Sequence, residues 1–554
     1  MKALPLQPLI VALILTGLST TSFARLGQNL AVDLKSLSLG NAVTADPPGV
    51  AAIHFNPAGL TKIDGIQVDL QGIVAHFDVK REWSAPAGYN VFGYSDDPLV
   101  CNDESSNPSS LCTDYKGAVR GDVEYPTLYV PILKKMVDLG AGMPIVAPTV
   151  GAAYRAPGSK ITYANAIYAP LIAGFGAEDG NPGNYMGQQI AIERVTYLSP
   201  SAAYKVNDNL SIGASVGLSY QALALNTDMR APNELVGVLR LIHEDVCAPF
   251  LENGNIVTDL LLFGMCNAQN SLGPFDQLAK LNIALEQSVS PTYNLGILWE
   301  PTDEFGFGMV YQSSSKMRLK GKYNIQPGDG ARDLVSALNS SVTGQILSAI
   351  LGFPSYIPEN ESGLVSMDLE YPQHFQAGIK YKFMPDLQLN FDVSWTDYKK
   401  WNQFKMEFDR AISVLRVAKL LTNNITDNSL TLPVGFQSAW TWGIGIQYDA
   451  TDRLQLRAGY EPRSSAIPDN KRNPMIPLNN ARLIGLGLTY RFDEDTDIDL
   501  TIAQLRSKDN IPANTSSLAN QTGVNNVIYN PYAGLDIKTD LKVHLLGLTY
   551  RTRW

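Results

Sequence analysis

From about residue 66 onward the chain alternates apolar and polar side chains in segment after segment, and this period of two restricts it to extended strands. In residues 438–449, SAWTWGIGIQYD, one face carries Trp440, Trp442, Ile444, Ile446 and Tyr448, and the other carries Thr441, Gly443, Gly445 and Gln447. Residues 481–492 repeat the pattern, setting Ile484, Leu486, Leu488, Tyr490 and Phe492 against Gly485, Gly487, Thr489 and Arg491. In 210–219, Leu210, Ile212, Ala214, Val216 and Leu218 oppose Ser211, Gly213, Ser215, Gly217 and Ser219.

A soluble sandwich also alternates, so the strand ends must discriminate. Tyr448, Tyr460, Tyr490, Trp395, Trp299 and Tyr311 stand near strand ends on the apolar face, where the aromatic girdles of a membrane barrel lie. The opposite face of Gly, Ser, Thr, Gln and Arg suits a polar lumen. Connection lengths point the same way, because outer-membrane barrels alternate short periplasmic turns with long outer loops. The short ones are 206–209, 300–304, 384–386, 449–453 and 493–497. Between them lie long stretches, roughly 226–288, 324–369, 409–433, 462–481 and 508–538, more than a compact soluble domain tolerates. Counting from Gly65 gives about 14 strands, an even number that closes an antiparallel barrel. The chain ends VHLLGLTYRTRW, with Leu546, Leu548, Tyr550 and Trp554 on one parity. Such an aromatic-ended amphipathic strand resembles the signal by which outer-membrane barrels are recognised for insertion. The expected fold class is therefore all-β, a transmembrane antiparallel barrel over 66–554 with short helices in its outer loops.

Residues 1–24 combine Lys2, an apolar run from Leu9 to Leu18 and Ser22-Phe23-Ala24, which reads as a secretory signal peptide. Beyond Ala24 no apolar run is long enough for a spanning helix. The 43 basic residues against 53 acidic, net −10, provide no polycationic patch, which sets nucleic acid aside. The four cysteines form two local couples, Cys101 with Cys112 and Cys247 with Cys266. In an exported chain this suggests disulfides, although three connectivities are open. A zinc site is disfavoured because neither couple has Cys-x-x-Cys spacing or a cluster of His around it. No metal or cofactor is expected.

Two loop segments show helical spacing of apolar residues. In 331–353 these are Leu334, Leu338, Val342, Ile346, Leu347 and Ile350, and in 273–288 they are Leu278, Leu281 and Leu285. Both are expected as helices that pack an apolar patch over the barrel mouth or cap one another. The stretch from Lys80 to Val146 reads as an enlarged first outer loop. An enzyme is not expected. GASVG at 213–217 fits the Gly-x-Ser-x-Gly nucleophile pattern, but Ser215 lies in mid-strand, not at a strand-to-helix elbow. His243-Glu244 lacks the second His of a zinc-protease motif.

Ahead of the barrel, residues 25–65 are rich in small residues, with Pro47-Pro48 and the turn Asn56-Pro57-Ala58-Gly59. Pro57 forces Asn56 out of helical geometry. Too irregular for a strand and too short for a domain, the segment fits best inside the barrel, since larger barrels enclose plugs.

Taken together, NPAGL at 56–60, LSPSAAYKVNDNLSIGASVGLSYQ at 198–221, GFQSAWTWGIGIQYDATDRLQLRAGYEP at 435–462 and the aromatic C-terminus resemble the FadL/TodX transporters. These outer-membrane proteins import long-chain fatty acids and other hydrophobic compounds. The resemblance implies a 14-stranded barrel closed by an N-terminal hatch over 25–65, with Asn56, Pro57 and Ala58 matching its Asn-Pro-Ala element and Gly59 following. It also implies capture of the substrate by outer loops, passage to an inner apolar pocket, movement of the hatch and sideways exit through a gap in the wall. Pro170 is the sequence's own candidate for that gap. It cannot donate to a ladder, it sits with Leu171, Gly174 and Gly176 in an otherwise good strand, and it falls where the family's kinked third strand lies. That Pro170 simply marks a strand end remains an open alternative.

Fatty-acid members are expected to hold the carboxylate with two basic residues. In this chain the first position falls near Thr227, with Arg230 the nearest base, and the second at Leu432, ahead of Gly435-Phe436. Leu432 cannot hold a carboxylate, so uncharged alkanes or aromatics stand beside long-chain fatty acids as expected ligands. The rival readings are a general porin, which needs no plug, and a surface adhesin, which is indifferent to changes in the hatch. The implied partners are the ligand and outer-membrane lipids, with no obligatory protein partner, and the implied location is the outer membrane of a Gram-negative bacterium.

Overall fold

The computed structural model describes residues 28–554 apart from 88, 90–118, 132, 141–142, 231–276, 420–422, 476–478 and 523–531. Fourteen strands form its wall. They are β1 (Gly65–Ser84), β2 (Ile145–Arg155), β3 (Ile161–Gly176), β4 (Gln189–Leu198 and Ser201–Lys205), β5 (Leu210–Arg230), β6 (Gln277–Trp299) and β7 (Phe305–Gln312 and Ser315–Pro327). The second half comprises β8 (Glu361–Tyr371 and His374–Met384), β9 (Leu387–Thr396), β10 (Ala439–Asp449), β11 (Leu454–Arg463), β12 (Ala481–Arg491), β13 (Thr496–Ile511) and β14 (Asp536–Arg553). Each pairs antiparallel with its neighbours, and β14 returns to β1 from Gln67↔Arg553 to Ser84↔Asp536. Closure pairs most of the backbone groups that a membrane, with no water to bond them, would otherwise leave unsatisfied.

Below the outer loops the apolar face points outward. Leu295, Ile297 and Trp299 of β6, Trp440 of β10, and Leu546 and Leu548 of β14 are exposed. The expected girdle residues Trp299, Tyr448 and Tyr490 are exposed on this face as well. Several strands are much longer than the roughly 9–11 residues a tilted strand needs to cross a bilayer. β5 has 21 residues, β6 has 23 and β14 has 18, so their far ends stand above the membrane.

In β6, β7 and β8 the buried parity changes partway up. On β6 the even residues Asn294 and Leu298 face inward in the lower half, whereas the odd residues Ala279, Leu281, Ile283 and Leu285 are buried in the upper half. The register against β5 jumps between Ser219↔Ser290 and Gln221↔Gln287, which inserts one extra residue in β6. Such a bulge turns every residue beyond it to the opposite face. Breaks at 313–314 in β7 and 372–373 in β8 do the same, turning Met317, Leu319, Val365, Met367 and Leu369 inward. The lumen is thus polar below and apolar above.

One expectation is corrected here. Residues 277–288 are not a helix but the upper part of β6, paired with β5 and β7. The spacing of Leu278, Leu281 and Leu285 mixes two parities, and the run that is buried is Ala279, Leu281, Ile283 and Leu285. The other expected helix is present as two, α1 (Asp329–Ser340) and α2 (Val342–Leu351), bent by 115° at Ser341, whose hydroxyl caps α2 by accepting from the Gly344 N–H at 3.0 Å. Among the described residues no single helix is long and apolar enough to cross a membrane. In the first outer loop, the short strands Tyr125–Val130 and Lys135–Asp138 pair with each other, and Tyr129 packs on Ala191, Ala222 and Ala224 of the wall. The four cysteines and His243-Glu244 lie outside the described residues.

Candidate functional site

Residues 28–64 make contact with strands all round the barrel and are almost wholly buried. Their local structure follows from a few caps. Asp33 accepts from the Ser36 N–H at 2.7 Å and starts the helical turn Leu34–Ser38. Asn56 is extended (φ −169°, ψ 99°), as a residue before proline must be, and its Oδ1 accepts from the Ala58 N–H at 3.2 Å to start the 3-10 turn Pro57–Lys62. The Asn56 amide also donates to Thr44 O at 2.8 Å and to Ile297 O of β6 at 3.0 Å. One side chain therefore caps its own turn, ties the segment to itself and fastens it to the wall.

The wall is cut to receive this segment. A Cβ on Gly296 would lie 2.1 Å from Asn56 Oδ1, one on Gly213 2.3 Å from the Pro57 carbonyl carbon, and one on Gly308 2.0 Å from Thr44 O. Gly443, Gly459 and Gly485 seat residues 37–40 in the same way. Polar lumen residues then saturate the segment's backbone. Asp392 accepts from the Val43 and Thr44 N–H groups at 3.0 and 2.8 Å, Asn390 donates to Ala42 O, and Gln376 donates to Asn41 O. Ser215, the serine of the Gly-x-Ser-x-Gly pattern, donates to Ile53 O at 3.1 Å. It is an anchor point and has no elbow.

Above this plug lies an apolar cluster formed with the inverted halves of β6, β7 and β8. Its buried residues include Leu281, Met317, Leu319, Met367, Trp401 and Phe436. Phe436 packs on Trp401 and Phe404 with ring centroids 5.9 and 6.2 Å apart, and Leu432 is partly buried against the same cluster. Both residues thus belong to the apolar cluster. Thr227, by contrast, donates to Asn184 O, and Arg230 ends β5 opposite Gln277.

Beside the plug, the wall ladder is interrupted at β3. The β2–β3 ladder runs from Arg155↔Thr162 to Val150↔Ile167 and stops, leaving residues 145–149 of β2 unpaired on that side. Pro170 lies in a bulge, since Tyr168↔Thr196 is followed by Leu171↔Arg194. The free edge of β3 is taken by the N-terminal strand Gln28–Ala31, which pairs Gln28↔Leu171 and Ala31↔Ala169 across a one-residue register shift. Thr149 of β2 reaches across to Ala31 O at 3.3 Å. A cavity of about 20 Å³, room for one water, remains there beside His54, Tyr168 and Gln71. Gly174 and Gly176 serve close packing, because Cβ atoms there would meet Thr127 O at 1.9 Å and the Tyr125 ring at 2.2 Å. Neither the N-terminal strand's place on β3 nor the parity switches had been read from the sequence. The alternation of GQNLAVDL at 27–34 is too short to signal the former.

A closed 14-stranded barrel with lipid-facing girdles and a lumen filled by its own N-terminal segment defines an outer-membrane β-barrel protein. The chain belongs to the outer membrane protein transport protein family (OMPP1/FadL/TodX), whose sequence model matches residues 35–554. It is 22% identical over 219 residues to the long-chain fatty acid transport protein of Escherichia coli K12, a match spanning 39% of this chain and 42% of that one. The chain thus matches less than half the length of that curated relative. Solved structures share the fold over nearly all of both chains. These are a Pseudomonas aeruginosa FadL homologue (TM-score 0.63, 16% identity, 96% of this chain and 100% of that one) and the Pseudomonas putida toluene transporter TodX (0.56, 16%, 97% and 100%). The Ralstonia pickettii toluene transporter TbuX also matches (0.54, 15%, 94% and 97%). The protein therefore resides in the outer membrane.

Proposed function

We propose that this chain imports long-chain fatty acids or related hydrophobic molecules across the outer membrane and releases them sideways through its wall. The observation that carries this reading is the interrupted β2–β3 ladder with the Gln28–Ala31 strand filling the free edge. The apolar cluster of β6, β7 and β8 is the wall of a chamber for the hydrophobic molecule, which has an unfavourable route downward, past the hydrogen-bonded polar groups of the lower wall, and a favourable one outward into lipid. Residues 25–65 act as a hatch in which Asn56, Pro57, Ala58 and Gly59 form the seat. Withdrawal of residues 28–31 from β3 opens the exit beside Pro170 and Leu171. The exposed apolar stripe on α2, Val342, Ile346 and Ile350 at 71%, 55% and 75% exposure, supports capture at the outer surface. The relatives named for fatty acid and toluene transport support a hydrophobic cargo.

A second reading, uptake of neutral alkanes or aromatics, is favoured by Leu432, an apolar residue lining the chamber where a base would be needed. The test is uptake of a labelled long-chain fatty acid and a labelled alkane, side by side, in a Gram-negative host lacking its own fatty-acid transporter. Uptake of either supports transport. Uptake of neither, with the barrel present in the membrane, reverts the chain to a surface adhesin.

A further inference from the structure

Five arginines on the described strands are almost fully buried, and three of them meet an acid. Arg457 pairs with Asp499 at 2.8 Å, Arg463 with Glu461 at 2.9 Å and Arg551 with Asp69 at 3.1 Å. Arg81 donates to Gly121 O and Gly183 O, with Asp122 and Glu124 close enough to act on its charge. Arg194 is different. Its guanidinium reaches along the wall from β4 past β5, donates to Ser290 Oγ at 3.0 Å and Ser290 O at 3.5 Å, touches Met317 Sδ at 3.6 Å and lies 4.1 Å from the ring centroid of Tyr371. It is 1% exposed, and among the described residues no carboxylate pairs with it. The adjacent Glu193 is on the opposite face, where it accepts from the Tyr129 N–H at 2.7 Å.

The position of this charge is specific. It sits at the level of the bulges, beneath the apolar cluster to which Met317 belongs and beside Tyr168, which packs edge-on against His54 of the N-terminal segment. A shelf of hydroxyls runs along the wall here, with Thr196 bonded to Ser219 and Ser290 to Ser315, each pair at 2.9 Å. A guanidinium is a planar fork that stays charged, and burying it without a counter-ion is unfavourable unless an anion completes the site. We propose that Arg194, with Ser290 and the neighbouring hydroxyls, is the head-group site for an anionic amphiphile, a carboxylate whose alkyl tail lies in the chamber above. This rests on the transport reading. It assigns the anion to a residue away from Arg230 and Leu432, and it favours acids over neutral hydrocarbons as cargo.

The test is binding to the full-length protein in lipid nanodiscs at neutral pH, corrected for partition into empty discs. The probes are a labelled long-chain fatty acid, its methyl ester and the alkane of the same length. The wild type is expected to bind the acid roughly 10- to 100-fold more tightly than the ester, the yield of a charge-assisted bidentate pair. Arg194→Gln is expected to abolish that preference by weakening the acid alone, and Arg194→Lys to restore part of it. Equal binding of acid and ester by the wild type overturns the head-group assignment and leaves transport standing, a result that needs no variant to fold. Equal loss of acid and ester in a folded Arg194→Gln barrel, read as a structural role, also overturns it. Binding of none of the three probes overturns the transport reading with it.

Discussion

Single side chains carry the contact between plug and wall, and Asn56 carries the most. Replacing it with Ala removes the cap on Ala58 and both amide bonds, to Thr44 and Ile297, inside a tightly packed seat. The loss is about 1–3 kcal/mol for the buried carbonyls left unpaired, and it falls on the docking of the segment against the wall. Asn56→Ala is expected to impair hydrophobic uptake while the abundance of heat-resistant folded barrel is unchanged. Normal uptake by the variant would remove the hatch from the mechanism. A second latch is ionic. Asp46 lies 3.3 Å from Lys35, 3.6 Å from Lys62 and 2.9 Å from the Gln447 amide. Burial pushes its carboxyl up, but Lys35, Lys62 and Lys380 together hold it well below the usual carboxylate range. A carboxylate with a depressed value stabilises the folded segment fully above its unfolded value of about 3.9 and loses that contribution only as pH falls through the lower, folded one. The Asp46 contribution to amide-exchange protection of residues 40–60, read as the difference between the wild type and Asp46→Asn, is therefore expected to be flat from neutral pH down to mildly acid conditions and to vanish only in strong acid. No difference between the two proteins at neutral pH, or a difference already lost near pH 6, would exclude Asp46 as the latch.

Among the elements, the bulges decide most. Without the extra residue in β6, Leu281, Ile283 and Leu285 would face outward above the membrane and the chamber would lose one wall. The Pro170 bulge in β3 works differently, since the strand's edge is left for residues 28–31. Pro170→Val supplies an N–H that can extend the wall ladder, and uptake should slow while folding is retained. An unchanged rate in folded protein would take Pro170 out of the exit. The lipid-facing half of these elements was legible in the sequence, because lipid on one side and a polar lumen on the other impose clean alternation on residues such as 440–448. The upper half was not. There both faces of β6 meet protein or water, Leu278 and Ala284 blur the parity, and pairing with β5 overrides a helical spacing. The seat around Asn56 was legible as a turn, since Asn-Pro permits little else, but the glycines that receive it are hundreds of residues away and acquire meaning only on closure. Arg194 was invisible for the same reason, as its surroundings come from β3, β6, β7 and β8.

The whole molecule is two compartments stacked in one wall, and they depend on each other. The lower lumen is lined with groups such as Asp392, Asn390, Gln376, Arg457 and Gln71 that a bare barrel would leave to water and that the N-terminal segment satisfies. The barrel itself is closed by strand ladders in which residues 28–31 take no part except on β3. Removing residues 28–62 should therefore leave an insertable, heat-modifiable barrel whose lower lumen fills with water, as in barrels of this size without plugs. In planar bilayers the truncated protein is expected to show steady ion conductance and the intact one to stay closed. Hydrophobic uptake by the truncated form should lose its dependence on Pro170, because the exit no longer needs a strand withdrawn from β3. A closed truncated barrel would mean that the outer loops, and not the plug, make the seal. A conducting wild type would place the chain with general porins and undo the lateral route.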